Sequence, residues 1–138
     1  MFDQCIYFNT TALARTLERE WAVAYRAFGL TPPQGFMLRA VLLKPGMLQG
    51  ELAEALSISR STATRTLDGL EKLALVERHS TPDDGRQLAI HPTDAARNIE
   101  SSLNEASAAL TRRLKQALGA DVFSKIVTEV KHVKSRLA

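Results

Sequence analysis

The sequence predicts a mainly α-helical fold that carries one small β-hairpin. Apolar residues recur at three- and four-residue spacing along most of the chain, which is typical of amphipathic helices. Two of these helical segments are separated only by Ser57-Ile58-Ser59, and two short extended runs flank the turn-forming segment Ser80-Thr81-Pro82-Asp83-Asp84-Gly85-Arg86. These observations predict a tight helical corner followed directly by a hairpin.

Composition excludes several classes of protein. The 138 residues are 45% hydrophobic, which is enough for one domain with a core that needs no disulfide or metal. No apolar run approaches the roughly 18 residues of a membrane span, and the N-terminus lacks the basic segment of a secretory signal. We therefore expect a cytoplasmic protein with no membrane association. The single Cys5 excludes an intramolecular disulfide.

Catalytic signatures are absent from the sequence. The three histidines, His79, His91 and His132, have no metal-ligand spacing, and no G-x-S-x-G, H-E-x-x-H or phosphate-loop motif occurs. We therefore expect neither an enzyme nor a cofactor or metal site.

The net charge of +3 says little about partners, because its distribution is uneven. Residues 57–91 contain five basic and five acidic side chains, and the excess of basic residues follows Pro92. Any case for nucleic-acid binding must therefore depend on where individual arginines lie.

The first two predicted helices are defined by their ends. An apolar stripe runs from about residue 4 to 28 and stops before Gly29. Thr31 can cap the second helix, with Pro32 in its first turn, and Lys44-Pro45-Gly46 ends it. The stripes that we expect to face inward are Ile6, Leu13, Leu17, Trp21, Ala24 and Phe28 in the first helix, and Phe36, Met37, Ala40, Val41 and Leu43 in the second.

The helical corner lies between residues 49–56 and a helix capped by Ser59. So tight a turn forces the two helices to cross steeply, which is helix-turn-helix geometry. The second helix has an inward stripe of Ala63, Leu67, Leu70 and Leu73, and its exposed first turns carry Arg60, Ser61, Thr62, Thr64 and Arg65. This polar, basic face suits the major groove of DNA. A packing corner with no role in DNA binding remains an alternative at this point.

The hairpin and the C-terminal helices complete the pattern. The hairpin predicts a wing whose exposed Arg86 could enter the minor groove of DNA. Thr93-Asp94 can cap a helix that continues to Leu118, and Asp121 can cap a last helix with an apolar stripe from Phe123 to Leu137. These long stripes predict a dimer interface, and packing onto the chain's own domain is the alternative. We assign residues 1–30 and 93–138 to dimerisation and residues 31–92 to a winged helix-turn-helix lobe, within one structural domain.

Three segments carry a family resemblance. The sequences LTPPQGFMLRAVL, GELAEALSISRSTATRTLDGLEKLALVER and DDGRQLAIHPT resemble the MarR family of winged helix-turn-helix regulators. The resemblance implies a homodimer whose helix from Ser59 to Leu73 enters the major groove while Arg86 contacts the minor groove. It also implies that Asp84 steadies the wing through nearby arginines. Three positions depart from the family pattern: Leu48 replaces a Thr or Ser cap, Ala74 replaces a helix-ending Gly, and His79 replaces a common Arg.

The resemblance implies a regulator, most simply a repressor of a pseudo-palindromic operator that is relieved by a small aromatic or phenolic effector. Family pockets lie between the first two helices, which here suggests Phe8, Leu13, Trp21, Phe36 and Arg39 as lining residues, although such residues are more often plain core. A thiol-based redox regulator that uses Cys5 is the alternative function. No Lys, Arg or His adjoins Cys5 in the sequence to favour a reactive thiolate.

Overall fold

The structure, a computed structural model, describes residues 1–82 and 87–138 and confirms the mainly helical fold with a small sheet. Asp84 and Arg86, two of the predicted site residues, lie outside the described residues. The elements are α1 (Ile6–Tyr25), a 3-10 turn (Arg26–Phe28), α2 (Pro32–Leu43), β1 (Met47–Leu48), α3 (Gln49–Ala55), α4 (Arg60–Lys72), β2 (Val76–Ser80), β3 (Leu88–Pro92), α5 (Asp94–Leu118) and α6 (Ala120–Leu137).

Hydroxyl caps begin three of the helices, as the sequence predicts. Thr31 Oγ1 accepts from the amide of Gln34, whose side chain accepts in return from the Thr31 amide at 3.0 Å. The hydroxyl oxygens of Ser59 and Thr93 accept from backbone amides at the starts of α4 and α5. Each such bond satisfies a backbone donor that the helix itself leaves unpaired.

The predicted cap of the last helix is wrong. Gly119, with φ 88°, is the only residue between α5 and α6, so Asp121 already lies in the first turn of α6 instead of preceding it. There its carboxylate still faces the positive end of the helix dipole. The helix therefore begins without a side-chain cap.

Two of the departures from the family pattern, Ala74 and Leu48, have visible structural effects. Ala74 adopts φ 58° just after α4, a left-handed conformation that costs a residue with a Cβ roughly 1 kcal/mol. Leu48 offers no hydroxyl to α3, and half of a capping box remains, in which Glu51 Oε1 accepts from the Leu48 amide at 3.0 Å. The start of α3 and the end of α4 thus keep a regular backbone geometry, each at some cost in stability.

The sheet has three antiparallel strands in the order β1-β3-β2. The hairpin strands β2 and β3 follow the prediction, with Arg78 opposite Ile90 in the register. The third strand, β1, has only two residues and pairs Met47 with Ile90. It fixes the start of α3 to the base of the wing.

The core lies between α2, α4, α5 and β3 and contains Tyr25, Met37, Leu38, Val41, Leu52, Leu67, Leu70, Ile90 and Leu103, all fully buried. Five residues predicted to face inward are exposed instead: Ile6 and Leu13 on α1, Phe36 and Leu43 on α2, and Leu73 at the end of α4. Leu43 is 86% exposed because α2 buries Leu42 in its place, one position and about 100° further back round the helix. Leu73 is 46% exposed because it is the C-cap of α4, beyond the last helical turn.

Large apolar side chains remain exposed on the terminal helices of the single chain. They are Ile6, Tyr7, Phe8, Leu13 and Val23 on α1 and Val122, Ile126, Val127, Val130 and Leu137 on α6. No residue of α6 is buried. In the part of the chain that the structure describes, no helix combines the length and apolarity that crossing a bilayer requires.

Candidate nucleic-acid interface

A concave surface that encloses a volume of about 670 Å³ lies between α3, the first turns of α4 and the base of the wing. We refer to it as the concave surface, and its lining residues are Leu48, Gln49, Gly50, Glu51, Glu54, Arg60, Thr64, Arg78, Gln87 and Leu88. Two of the predicted contact residues, Arg60 and Thr64, lie in it. The hairpin strands are attached to α4 through a three-residue connection, residues 73–75, which contains the left-handed Ala74, so the wing base and the helix bound one shared surface.

The predicted contact residues fall into three rows along α4, because positions four apart stack on one side of a helix. Arg60 and Thr64 form the row that faces α3. Ser61 and Arg65 form the next row and are exposed. Thr62 is half-buried and, together with Thr66, lines a different groove on the side of α1. The sequence therefore predicts one surface for five polar residues of α4. In the structure, the concave surface holds Arg60 and Thr64, and Thr62 lies on the opposite side of the helix in the groove beside α1.

Thr64 is held by a residue that the sequence analysis missed. Gln49 Nε2 donates to Thr64 Oγ1 at 2.8 Å, and the Thr64 hydroxyl donates to the carbonyl oxygen of Arg60 at 3.0 Å. The hydroxyl thus already has a donor and an acceptor within the chain. Gln49 reaches this position because it is the first residue of α3, a location that a helical burial pattern does not single out.

Arg65 lies beside a small hydroxyl cluster at the start of α4. Its Nη2 donates to Thr62 Oγ1 at 3.4 Å, and Thr62 Oγ1 also accepts from Ser59 Oγ at 2.9 Å. The bond to Arg65 is long, so the exposed guanidinium can exchange it for a phosphate or a base edge at little cost. Ser61 Oγ adds a 3.2 Å contact to Ser59 Oγ.

Arg78 joins the wing to α4 and was also missed. Its Nη2 lies 2.8 Å from Asp68 Oδ1 and donates to the Thr64 carbonyl at 3.2 Å, and its Nη1 lies 3.5 Å from Glu71 Oε2. The side chain is 17% exposed, and its Nε has no hydrogen-bond partner among the described residues. Arg78 is therefore a structural arginine whose charge is balanced within the lobe.

A second groove, of about 460 Å³, separates α1 from the turn between α3 and α4. Its lining is mostly apolar and consists of Ala14, Leu17, Glu18, Trp21, Pro32, Pro33, Phe36, Leu56, Ile58, Thr62 and Thr66. The rings of Trp21 and Phe36 lie 6.1 Å apart at its wall. We refer to it as the α1–α4 groove, since it connects the first helix to the back of α4.

The structure divides the predicted effector-pocket residues. Trp21 and Phe36 line the α1–α4 groove, whereas Phe8 packs on Phe2 near the N-terminus, with ring centroids 5.2 Å apart. Leu13 is exposed on α1 outside that lining. Arg39 points toward α5 and touches the groove only through Phe36, with its guanidinium carbon 5.2 Å from the ring centroid.

Cys5 has a structural role at the start of α1. Its Sγ accepts from the Phe8 amide at 3.5 Å, so it is the N-cap of the helix. The thiol is exposed, and in residues 1–82 and 87–138 no basic side chain is hydrogen-bonded to it. The structure gives no support to the redox alternative.

Comparison with known proteins relates this site to a family. The model of the MarR family matches residues 28–87, which include α2 to α4 and the first hairpin strand, β2. The "Putative transcriptional regulatory protein for hcr operon" of Thauera aromatica is 29% identical over 113 residues, covering 73% of this chain and 68% of that protein. The "Uncharacterized HTH-type transcriptional regulator YybA" of Bacillus subtilis is 24% identical over 87 residues, covering 63% of this chain and 58% of that protein.

Solved structures share the fold over almost the whole chain. The transcriptional repressor CouR bound to a 23-mer DNA duplex superposes with a TM-score of 0.88 at 23% identity, covering 96% of this chain and 94% of that one. The MepR–DNA complex of S. aureus gives a TM-score of 0.86 at 18% identity, covering 95% of this chain and 96% of that one. At such identities the likeness establishes the fold.

Proposed function

We propose, because the chain belongs to the MarR family of winged helix-turn-helix transcriptional regulators, that two copies of it bind a pseudo-palindromic DNA operator and repress transcription. The observation that carries the proposal is the exposed N-terminal half of α4. Arg60, Ser61, Thr64 and Arg65 are exposed there, while Ala63 and Leu67 of the same helix are fully buried. A helix anchored on one face and polar on the other is the form that major-groove recognition requires.

Each predicted contact has a distinct proposed role. Arg65 binds a guanine edge or a phosphate, since its guanidinium is exposed and only loosely held. Arg60 binds the phosphate backbone at the edge of the concave surface, and Ser61 and Thr62 assist at phosphates. Thr64 offers its methyl group to a thymine, because Gln49 and the Arg60 carbonyl already occupy its hydroxyl. Arg86 inserts into the minor groove, and Asp84 steadies the wing through nearby arginines.

The test compares substitutions of Arg65 and Arg86 with a substitution that removes the same charge elsewhere on α4. Randomised duplexes are first enriched with the parent protein, and the enriched operator is then titrated at several salt concentrations. We expect Arg65→Ala and Arg86→Ala to lower affinity at least tenfold and to reduce the slope of log affinity against log salt by about 1 each. Lys72→Ala is the control, since it removes the same charge from the opposite end of the same helix. Equal affinity of Arg65→Ala and the parent would sink the assignment.

We propose that the exposed apolar faces of α1 and α6 form the dimer interface. Contiguous apolar surface of this kind marks an interaction site, and on α6 it recurs at helical spacing through Ile126, Val130 and Leu137. Light scattering should give about twice the 15.2 kDa of one chain. The double variant Val127→Asp/Val130→Asp should approach one chain mass and lose operator binding, and a parent protein that is monomeric at micromolar concentration would contradict the proposal.

We propose that a small aromatic or phenolic effector binds in the α1–α4 groove and relieves repression. Thr62 and Thr66 of α4 line the groove, so a ligand there touches the recognition helix directly. Trp21 is the single tryptophan of the chain and lines the same groove, so its fluorescence reports occupancy. In a screen of phenols and aromatic acids, a ligand should quench Trp21 and weaken operator binding in the parent. Ala14→Phe, which fills the groove from exposed α1, should abolish both effects.

A further inference from the structure

Arg39 is the centre of a polar cluster that joins three helices. Its Nε donates to Asn104 Oδ1 at 2.8 Å, and its Nη1 donates to Ser107 Oγ at 2.9 Å and to Tyr25 Oη at 3.2 Å. Ser107 Oγ accepts a further bond from Trp21 Nε1 at 3.2 Å. The cluster thus ties α2 to α5 through two acceptors and to α1 through two aromatic side chains.

The cluster is unusual in its charge. All the acceptors of Arg39 are neutral, and in the described part of the chain no carboxylate lies within ion-pair distance of it. Ser107 is a polar residue that is only 4% exposed, and Tyr25 is fully buried. A guanidinium that donates several directional hydrogen bonds and has no counter-charge fixes the orientation of the helices more than it attracts them electrostatically.

The position of α2 determines the position of α4. Met37 and Leu38 of α2 and Leu67 and Leu70 of α4 all belong to one fully buried core. A Cβ on Gly35 of α2 would overlap the ring of Tyr25, so α2 also lies close against α1. Because such a core is close-packed, a rotation of α2 about α5 carries α4 with it.

We propose that Arg39 is a positioning residue that sets the angle between the recognition helices and the dimerisation helices, and thereby determines which half-site spacing the protein accepts. The inference rests on the proposed function, since spacing has meaning only for a dimer on DNA. One base pair moves a half-site by about 3.4 Å and rotates it by roughly a tenth of a turn, so a fixed angle rejects a changed spacing. If the angle between the helices can vary, the protein also binds operators with a changed spacing.

The experiment measures spacing selectivity and not affinity alone. The operator enriched by the parent protein is rebuilt with its central spacing changed by one and by two base pairs in each direction. We expect the parent to lose at least tenfold in affinity when the spacing changes by one base pair. For Ser107→Ala and Asn104→Ala, the same one-base-pair change in spacing should lower the affinity by threefold or less. Asn104→Asp supplies a charged acceptor at an exposed position and should keep the full discrimination of the parent.

Two controls distinguish the positioning role of Arg39 from a loss of folding and from a loss of direct DNA contacts. Asn104 is exposed, so its variants keep the core intact and serve even where Ser107→Ala fails to fold. Arg65→Ala should weaken binding to all spacings equally and keep the parental profile. The inference would be overturned if both Asn104→Ala and Ser107→Ala kept the parental spacing profile, or if both lost affinity equally at every spacing. Either result would leave the proposed function standing. Failure of the parent to enrich any duplex would overturn the proposed function, and this inference with it.

Discussion

Gly35 tests the packing of α1 against α2 most directly. In Gly35→Ala the new methyl would lie 3.1 Å from Tyr25 Cζ and nearer still to Cε2 and Cδ2, whereas ordinary contact begins at 3.4 Å. Tyr25 cannot easily move away, because it is fully buried, packs against Phe36 with tilted rings whose centroids are 5.8 Å apart, and accepts from Arg39 Nη1. The overlap must therefore displace a helix or a core ring.

The expected magnitude is the difference between two opposing effects. Overpacking costs about 1–3 kcal/mol, and the immobile ring places Gly35→Ala near the upper end. Replacing glycine by alanine inside a helix returns about 1 kcal/mol. We therefore expect Gly35→Ala to lower the free energy of unfolding by about 2 kcal/mol, which for a chain of this size lowers Tm by roughly 6 °C.

The assay is urea unfolding followed by circular dichroism, at one fixed protein concentration, since association couples stability to concentration. Gly50→Ala is the matched control. Gly50 is also helical, but its Cβ would meet nothing within 4 Å, so this substitution should stabilise the protein by about 0.5–1 kcal/mol. A Gly35→Ala protein at least as stable as the parent, beside a stabilised Gly50→Ala, would refute the close approach of α2 to Tyr25.

Three further stability predictions follow from the same structure and can be measured in the same unfolding assay. Ala74→Gly should stabilise the protein by about 1 kcal/mol, because only glycine adopts φ 58° without strain, and no change would contradict the left-handed end of α4. Ser59→Ala should destabilise it by about 1 kcal/mol, through loss of the bond from the Thr62 amide, and Ser59→Asn should restore most of the difference. Leu42→Ala should cost about 2–5 kcal/mol, whereas the neighbouring Leu43→Ala should cost under about 0.5 kcal/mol, and similar costs would show that the burial of α2 is assigned to the wrong residue.

Local signals were sufficient for most of the fold. Hydroxyl caps such as Thr31 and Ser59 act within one helical turn, so their effects can be predicted from neighbouring residues alone. The strand β1 could not be predicted, because two residues become a strand only by pairing with Ile90, far along the chain. Leu43 shows the limit of periodicity, since a helix with three consecutive apolar residues does not reveal which of them faces the core.

The candidate site was predictable in its residue types and less so in its arrangement. Arg60 and Arg65 are recognisable as exposed basic residues of the second helix in the corner. The division of the α4 residues between two surfaces depends on where α1 packs, which no local pattern states. Arg39 acquires its role from Asn104 and Ser107, which lie 65 and 68 positions away in the sequence, and Arg78 from acids on a different element.

The internal pairing of Arg78 affects how the proposed regulator would search a genome. Its charge is balanced by Asp68 and Glu71, within a segment from 57 to 91 whose five basic and five acidic residues cancel. Attraction to arbitrary duplex grows with the number of phosphates neutralised, so such a lobe binds random sequence weakly. Fewer copies are then sequestered on the vast excess of non-operator DNA, and a small number of molecules per cell suffices to keep an operator occupied.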